Sequence, residues 1–191
     1  MNISLKILTI ILLASLFACN SAPEPYARPF GFPRIEIPKE IKYKKFDNKT
    51  CPFTFEYPEF GTISRDVADS CWVDIYFPRY DCKWHISHHS VVKGQKDRNA
   101  RFEDFRKLVF KHIKKASNIP ETALKTKNGY GVKYELYGNV GTPVELFFGN
   151  DTDVLTTSFY FNTAQKNDSL APVIDYMKGQ VDHLVETIEW K

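Results

Sequence analysis

The chain has 191 residues, is 43% hydrophobic and 15% aromatic, and carries 26 Lys+Arg against 23 Asp+Glu for a net charge of +3. Such apolar and aromatic content excludes a disordered or low-complexity chain, and the length suits one domain with or without a tether. The balanced charge gives no reason to name nucleic acid as a partner, and no internal apolar run approaches the roughly 20 residues of a spanning helix.

The N-terminus reads as an address. Lys6 supplies a positive start, Ile7–Leu16 is an apolar block of signal-peptide length, and Leu16-Phe17-Ala18-Cys19 closes it. A leucine three residues before the cysteine and a small residue directly before it resemble the lipobox of bacterial lipoproteins. That resemblance implies a signal peptide over 1–18, cleavage before Cys19, and acylation of Cys19. Two or three acyl chains on one residue hold a soluble body at a bilayer. Asn20-Ser21-Ala22 carry no acidic sorting signal, which points to the outer membrane, facing the periplasm.

Five prolines, Pro23, Pro25, Pro29, Pro33 and Pro38, make residues 19–40 a lipidated, extended tether. Phe32–Pro38 alternates like an edge strand, so the free linker is expected only to about residue 28. A single α+β domain is expected over 41–191. Phe53–Tyr57, Trp72–Phe77 and Lys83–His88 are β-branched and aromatic runs, the first two bounded by proline, and read as strands of a half-buried antiparallel sheet. From Arg101 to Ala116 the period changes: Phe102, Phe105, Val109, Ile113 and Ala116 form an amphipathic stripe, with acids early and lysines late. Strands are expected again over 130–137, with Val132, Tyr134 and Leu136 inward and Lys133 and Glu135 outward, then over 143–148 and 154–161. A last helix, capped by Asp168-Ser169 with Pro172 in its first turn, presents Leu170, Val173, Ile174, Met177, Val181, Leu184, Val185 and Ile188 as one stripe. The sum is an α+β fold, an antiparallel sheet of about six strands packed by two main helices, by analogy like the PsbP/Mog1 arrangement.

Cys51, Cys71 and Cys82 can form at most one bridge. Cys51–Cys71 is the favoured pair and would close a loop of about twenty residues, contributing roughly 3 kcal/mol. If the strands that follow Cys51 and Cys71 were adjacent and antiparallel, Cys51 would lie nearer Cys82, so this pairing needs an intervening strand. Three buried thiols are the alternative.

No catalytic constellation emerges. His85 and His89 share a strand face but stand about 13 Å apart, too far for one metal ion without a bend, and His88 points the other way. A solvated strand end is the plainer reading, and His112 and His183 read as surface helix histidines. Ser87 lacks the nucleophile turn, the P-loop and dinucleotide fingerprints are missing, and Asp151-Thr152-Asp153 reads as a turn. No enzyme activity, cofactor or metal is expected.

Taken together, Cys51–Pro58, Cys71–Pro78, His85–His88, Phe159–Asn162, Asn167–Leu170, Pro172–Ile174 and Glu186–Lys191 resemble the GldD-type gliding motility lipoproteins. The resemblance spans nearly the whole mature chain; Cys82 and His89 are its less typical positions. It implies a lipoprotein of the Bacteroidota envelope, required for gliding and associated with the type IX secretion machinery, with partners in that machinery and no cofactor. Contacts are expected through a sheet edge, the aromatic 26–37 segment, or a face around Trp72 and Trp84. The alternatives are a periplasmic lipoprotein that binds lipid or glycan and, behind it, an envelope hydrolase.

Overall fold

In the computed structural model of the chain, residues 36–67, 71–162 and 167–191 are described, within a compact unit spanning Ile35–Lys191. The leader, Cys19, the free linker and most of the alternating segment before Pro38 lie outside the described residues. Glu36, Ile37 and Pro38 form no strand.

In chain order the strands are β1 (Tyr43–Phe46), β2 (Phe53–Pro58), β3 (Thr62–Val67), β4 (Trp72–Phe77), β5 (Cys82–Ser90), β6 (Ala116–Asn118), β7 (Glu121–Thr126), β8 (Gly129–Glu135), β9 (Tyr137–Gly138), β10 (Val144–Gly149), β11 (Asp153–Phe161) and β12 (Glu189–Trp190). The helices are α1 (Gln95–Phe110) and α2 (Asn167–Thr187), with 3-10 turns at Pro78–Tyr80 and Lys111–Lys114. Seven strands, one more than expected, make the main sheet in the order β3-β4-β5-β11-β10-β8-β7. Every pairing in it is antiparallel. A second sheet has the order β1-β2-β12, and β6 pairs with β9.

Strand alternation sorts the main sheet into two faces. Val73, Ile75, Phe77, Trp84, Ile86, Leu146, Phe148, Leu155 and Phe159 point one way and are closed off by the β1-β2 sheet and α2. The predicted stripe of α2 is what does this: Val173, Ile174, Met177, Val181, Leu184 and Val185 are all buried there, with Leu170 at its margin and Ile188 buried just past the helix end. Phe55 bridges the layers to Trp84 at 6.3 Å, and within the main sheet Trp84 stacks on its register partner Phe159 at 4.7 Å. On the other face α1 sets Phe105 and Val109 against Tyr134, Leu136, Phe147 and Val154. α1 thus covers the β8–β10 half of that face.

Several local expectations shift. α1 begins six residues before Arg101, because its first turns are held by polar contacts that leave no apolar period. Gly94 takes φ +63 at the cap, Asp97 Oδ2 accepts the Val92 N–H at 3.0 Å, and buried Arg98 donates to the Asn150 and Tyr130 carbonyls at 2.9 and 2.7 Å. The Arg98 guanidinium also lies 3.9 Å over the Tyr130 ring. At the other end the helix tightens at Lys111 into the 3-10 turn, which rotates Ile113 out of the buried stripe. α2 starts at Asn167, so Asp168 and Ser169 lie within the helix and Pro172 stands in its second turn. Lys133, expected outside, is buried because that face of β8 meets α2, where its ammonium reaches Asp182 at 2.6 Å. Beside it Lys178 meets Glu135 at 2.7 Å.

Candidate functional site

Cys51 and Cys71 are joined by a disulfide with their Cα atoms 5.5 Å apart. The strands that follow them lie in different sheets, so no shared ladder sets them at opposite ends, and β3 intervenes. The bridge ties the start of β2 to the start of β4. Cys82 is free and fully buried, and burial with the nearby Asp81 charge pushes its thiol up to about 12. A thiol so held is no nucleophile at neutral pH.

The part of the second sheet face that α1 leaves open carries polar and aromatic side chains in register. One row runs Trp72, Ser87, Thr156; the next runs Asp74, His85, Ser158, Glu145. Trp72 is 41% exposed and Tyr160 42%. His85 Nδ1 lies 2.7 Å from Asp74 Oδ1, which orients its ring edge-on to Tyr160 at 5.0 Å between centroids. At the end of the row Glu145 is enclosed under the turn after α1. Burial pushes its carboxyl up to about 7, against a hydrogen bond from Ser158 that holds it down. His112 Nε2 stands 3.4 Å from Glu145 Oε1, and burial, then Lys115, lowers the imidazole from its usual range. Burial therefore opposes charge on both members of this contact. A groove of about 230 Å³ runs beside the row, lined by His89, Arg101, Asp104, Phe105, Leu108 and Thr156. Burial, then the Arg101 charge, lowers the His89 imidazole. The face is shallow, amphipathic and rich in hydrogen-bonding groups, a composition suited to a macromolecular surface.

A family model described as gliding motility lipoprotein GldD matches residues 22–190. The chain belongs to that family. This GldD-family chain is similar in fold to a solved structure, the Saccharomyces cerevisiae Ran-binding protein Mog1p. Identity is 12% and the TM-score 0.50, with 79% of this chain and 96% of that one covered. At that identity the likeness concerns the fold alone, and it agrees with the α+β arrangement expected from the sequence. No curated protein matches the chain in sequence. Membership puts the chain among lipid-anchored envelope proteins of gliding motility. Among the described residues no helix is long and apolar enough to cross a membrane.

Other sequence-selected residues of this GldD-family chain fall elsewhere. Cys19 lies outside the described residues. Trp84, expected beside Trp72 on an exposed face, is fully buried, since even positions of β5 face the core. The same parity takes His88 inward, where it meets Asp153 Oδ1 at 2.7 Å and packs 5.6 Å from Phe53; it is not a solvated strand end. His183, expected at the surface, stacks on Tyr43 at 3.7 Å and meets Glu56 at 2.9 Å, because β1 and β2 run beside α2. Asp151 lies in a turn built on Asn150, whose Oδ1 accepts from the Thr152 and Asp153 N–H groups. Among the described residues no three His, Cys, Asp or Glu side chains converge as a metal site. Sequence reasoning missed Tyr160 and Glu145. The alternation of β10 and β11 could have paired them, but only the strand order brings them to Asp74 and His85.

Proposed function

We propose that this chain is acylated on Cys19, held at the outer membrane facing the periplasm, and serves as a non-enzymatic assembly component of the gliding and type IX secretion machinery of Bacteroidota. In this reading it offers the open sheet face around Trp72, His85 and Tyr160 to a neighbouring envelope protein. The observation that carries the reading is the family match across residues 22–190. The half-covered face adds support, because exposed aromatic side chains among paired polar groups characterise recognition surfaces. A deletion strain scored for both surface spreading and protein export tests it. Loss of both, restored by the wild-type gene and not by Cys19→Ala, is the expected result. Normal spreading in the deletion strain would end the proposal, and equal palmitate labelling of wild type and Cys19→Ala would remove the anchor.

A further inference from the structure

We propose that the end of α1 and the turn after it form a second membrane contact, a cationic and apolar patch that rests on anionic phospholipid headgroups. The inference builds on the lipid-anchored reading above and adds the orientation in which the anchored domain sits.

The patch begins with the helix that tightens at Lys111. Residues 105–120, FRKLVFKHIKKASNIP, contain no acidic residue, and neither do residues 136–144, LYGNVGTPV. The two segments are joined by the β6–β9 pairing and by the Asn139 N–H, which donates to the Lys115 carbonyl at 3.1 Å. Their surface holds the exposed Lys111, Lys114 and Lys115, none of which has an acidic partner among the described residues. Among these lysines stand large apolar side chains, Ile113 at 60% exposure and Leu108 at 53%, with Tyr137 at 45% on the neighbouring strand. Three carboxylates beside the patch are engaged, Asp104 by Lys107 at 3.0 Å among them. Glu135 accepts from Lys178 and from the Tyr137 hydroxyl, and Glu145 is enclosed beside His112. An outward ammonium set around aliphatic and phenolic side chains is the composition that binds at a lipid interface.

Position gives the second argument. Pairing of Phe77 and Phe161 with Cys82, and of Glu145 with Ser158, puts the end of β4 and the start of β10 at one end of the main sheet. The tether enters the domain at that end: the Tyr80 hydroxyl donates to the Glu36 carbonyl at 3.2 Å, and Arg79 meets the Glu36 carboxylate at 3.4 Å. The patch sits there too, through His112 on Glu145 and Lys115 on Asn139. Seventeen steps separate Cys19 from Glu36, a reach of at most roughly 60 Å. The patch therefore lies at the end of the main sheet that Glu36 joins, within reach of a bilayer that holds Cys19.

The test reconstitutes the full acylated protein into vesicles with a fluorophore sensitive to water on Ile113→Cys. The introduced thiol is selectively reactive, since Cys51 and Cys71 are bonded and Cys82 is buried. A second label on Lys127→Cys, in the β7–β8 turn at the opposite end of the sheet, is the control. In vesicles of phosphatidylglycerol mixed with phosphatidylcholine, the Ile113 label is expected to brighten and shift to the blue, reversibly with salt. Phosphatidylcholine alone should leave it, and the Lys127 label in both, at the aqueous value. Each lysine near an anionic surface contributes roughly fivefold to such a contact, so Lys111→Gln with Lys114→Gln and Lys115→Gln should weaken it on the order of a hundredfold. These exposed changes leave the fold in place. An aqueous Ile113 signal in anionic vesicles, or an equal response in neutral ones, would overturn the proposal. So would crosslinking of the patch to an acidic envelope protein without any lipid response. Failure of the anchor is separately visible: an unacylated chain would not float with neutral vesicles, while its Ile113 label would still report on anionic ones.

Discussion

Trp84 and His85 are consecutive residues of one strand and meet opposite surroundings. Trp84 is sealed between Phe55 and Phe159, while His85 stands half-exposed between Asp74 and Tyr160. The two faces of the main sheet share one set of backbone hydrogen bonds and differ in what covers them. α2 and a second sheet close the first face, and α1 closes only part of the second. The difference separates stability from exposure: the dry face holds the molecule together, and the open part of the other face is the surface proposed above to meet partners.

That contrast breaks most visibly at Trp84. Trp84→Ala should cost about 3–5 kcal/mol, read from urea unfolding, because the enclosing rings cannot collapse into the space. A loss below about 1 kcal/mol would mean that the covered face is not close-packed. Removing the bridge with Cys51→Ser and Cys71→Ser should cost roughly 3 kcal/mol by the same measurement, through the freed unfolded chain. An unchanged midpoint would show that the bridge constrains nothing.

Glu145 sharpens the comparison through pH. Its carboxyl stands near 4.5 in the unfolded chain and is pushed up to about 7 in the fold by burial. The folded state therefore binds the proton more tightly, so stability is complete below about 4.5 and falls as pH rises through the window up to about 7. The loss should be on the order of 3 kcal/mol, and Glu145→Gln should flatten that slope. A wild-type slope retained in Glu145→Gln would assign the effect to another group. The smallest effect belongs to the open face: Tyr160→Ala should change stability by no more than about 0.5–1 kcal/mol while reducing crosslinks to neighbouring envelope proteins. A larger destabilisation would move Tyr160 from the open face to the core.

Legibility followed the same division. The α2 stripe was readable because eight apolar residues repeat with one period, and β2, β4, β5, β10 and β11 because aromatic and β-branched residues cluster in them. β7, with the sequence ETALKT, was not, since an edge strand exposed on most positions carries little apolar pattern. β1 was hidden likewise by Lys44 and Lys45. The first turns of α1 escaped because Arg98 takes the place an apolar residue would mark. Of the candidate site, Trp72 was legible as an aromatic at a strand start. Glu145 was not, because an acid inside VELFFG looks outward until His112 and the turn after α1 are known to close over it.

The residue pattern alone determined the α+β class, the strongly apolar helix and strands, the lipobox-like run ending at Cys19 and the ordered motifs of the family, since each is a property of neighbours along the chain. Tertiary structure decided the rest: which strands share a sheet, which face of each is covered, why Cys51 meets Cys71, and where Lys133, His88 and His183 find their partners. Periodicity reports that one side of an element is apolar. What lies against that side is set by contacts between residues far apart in sequence, and no local pattern encodes them.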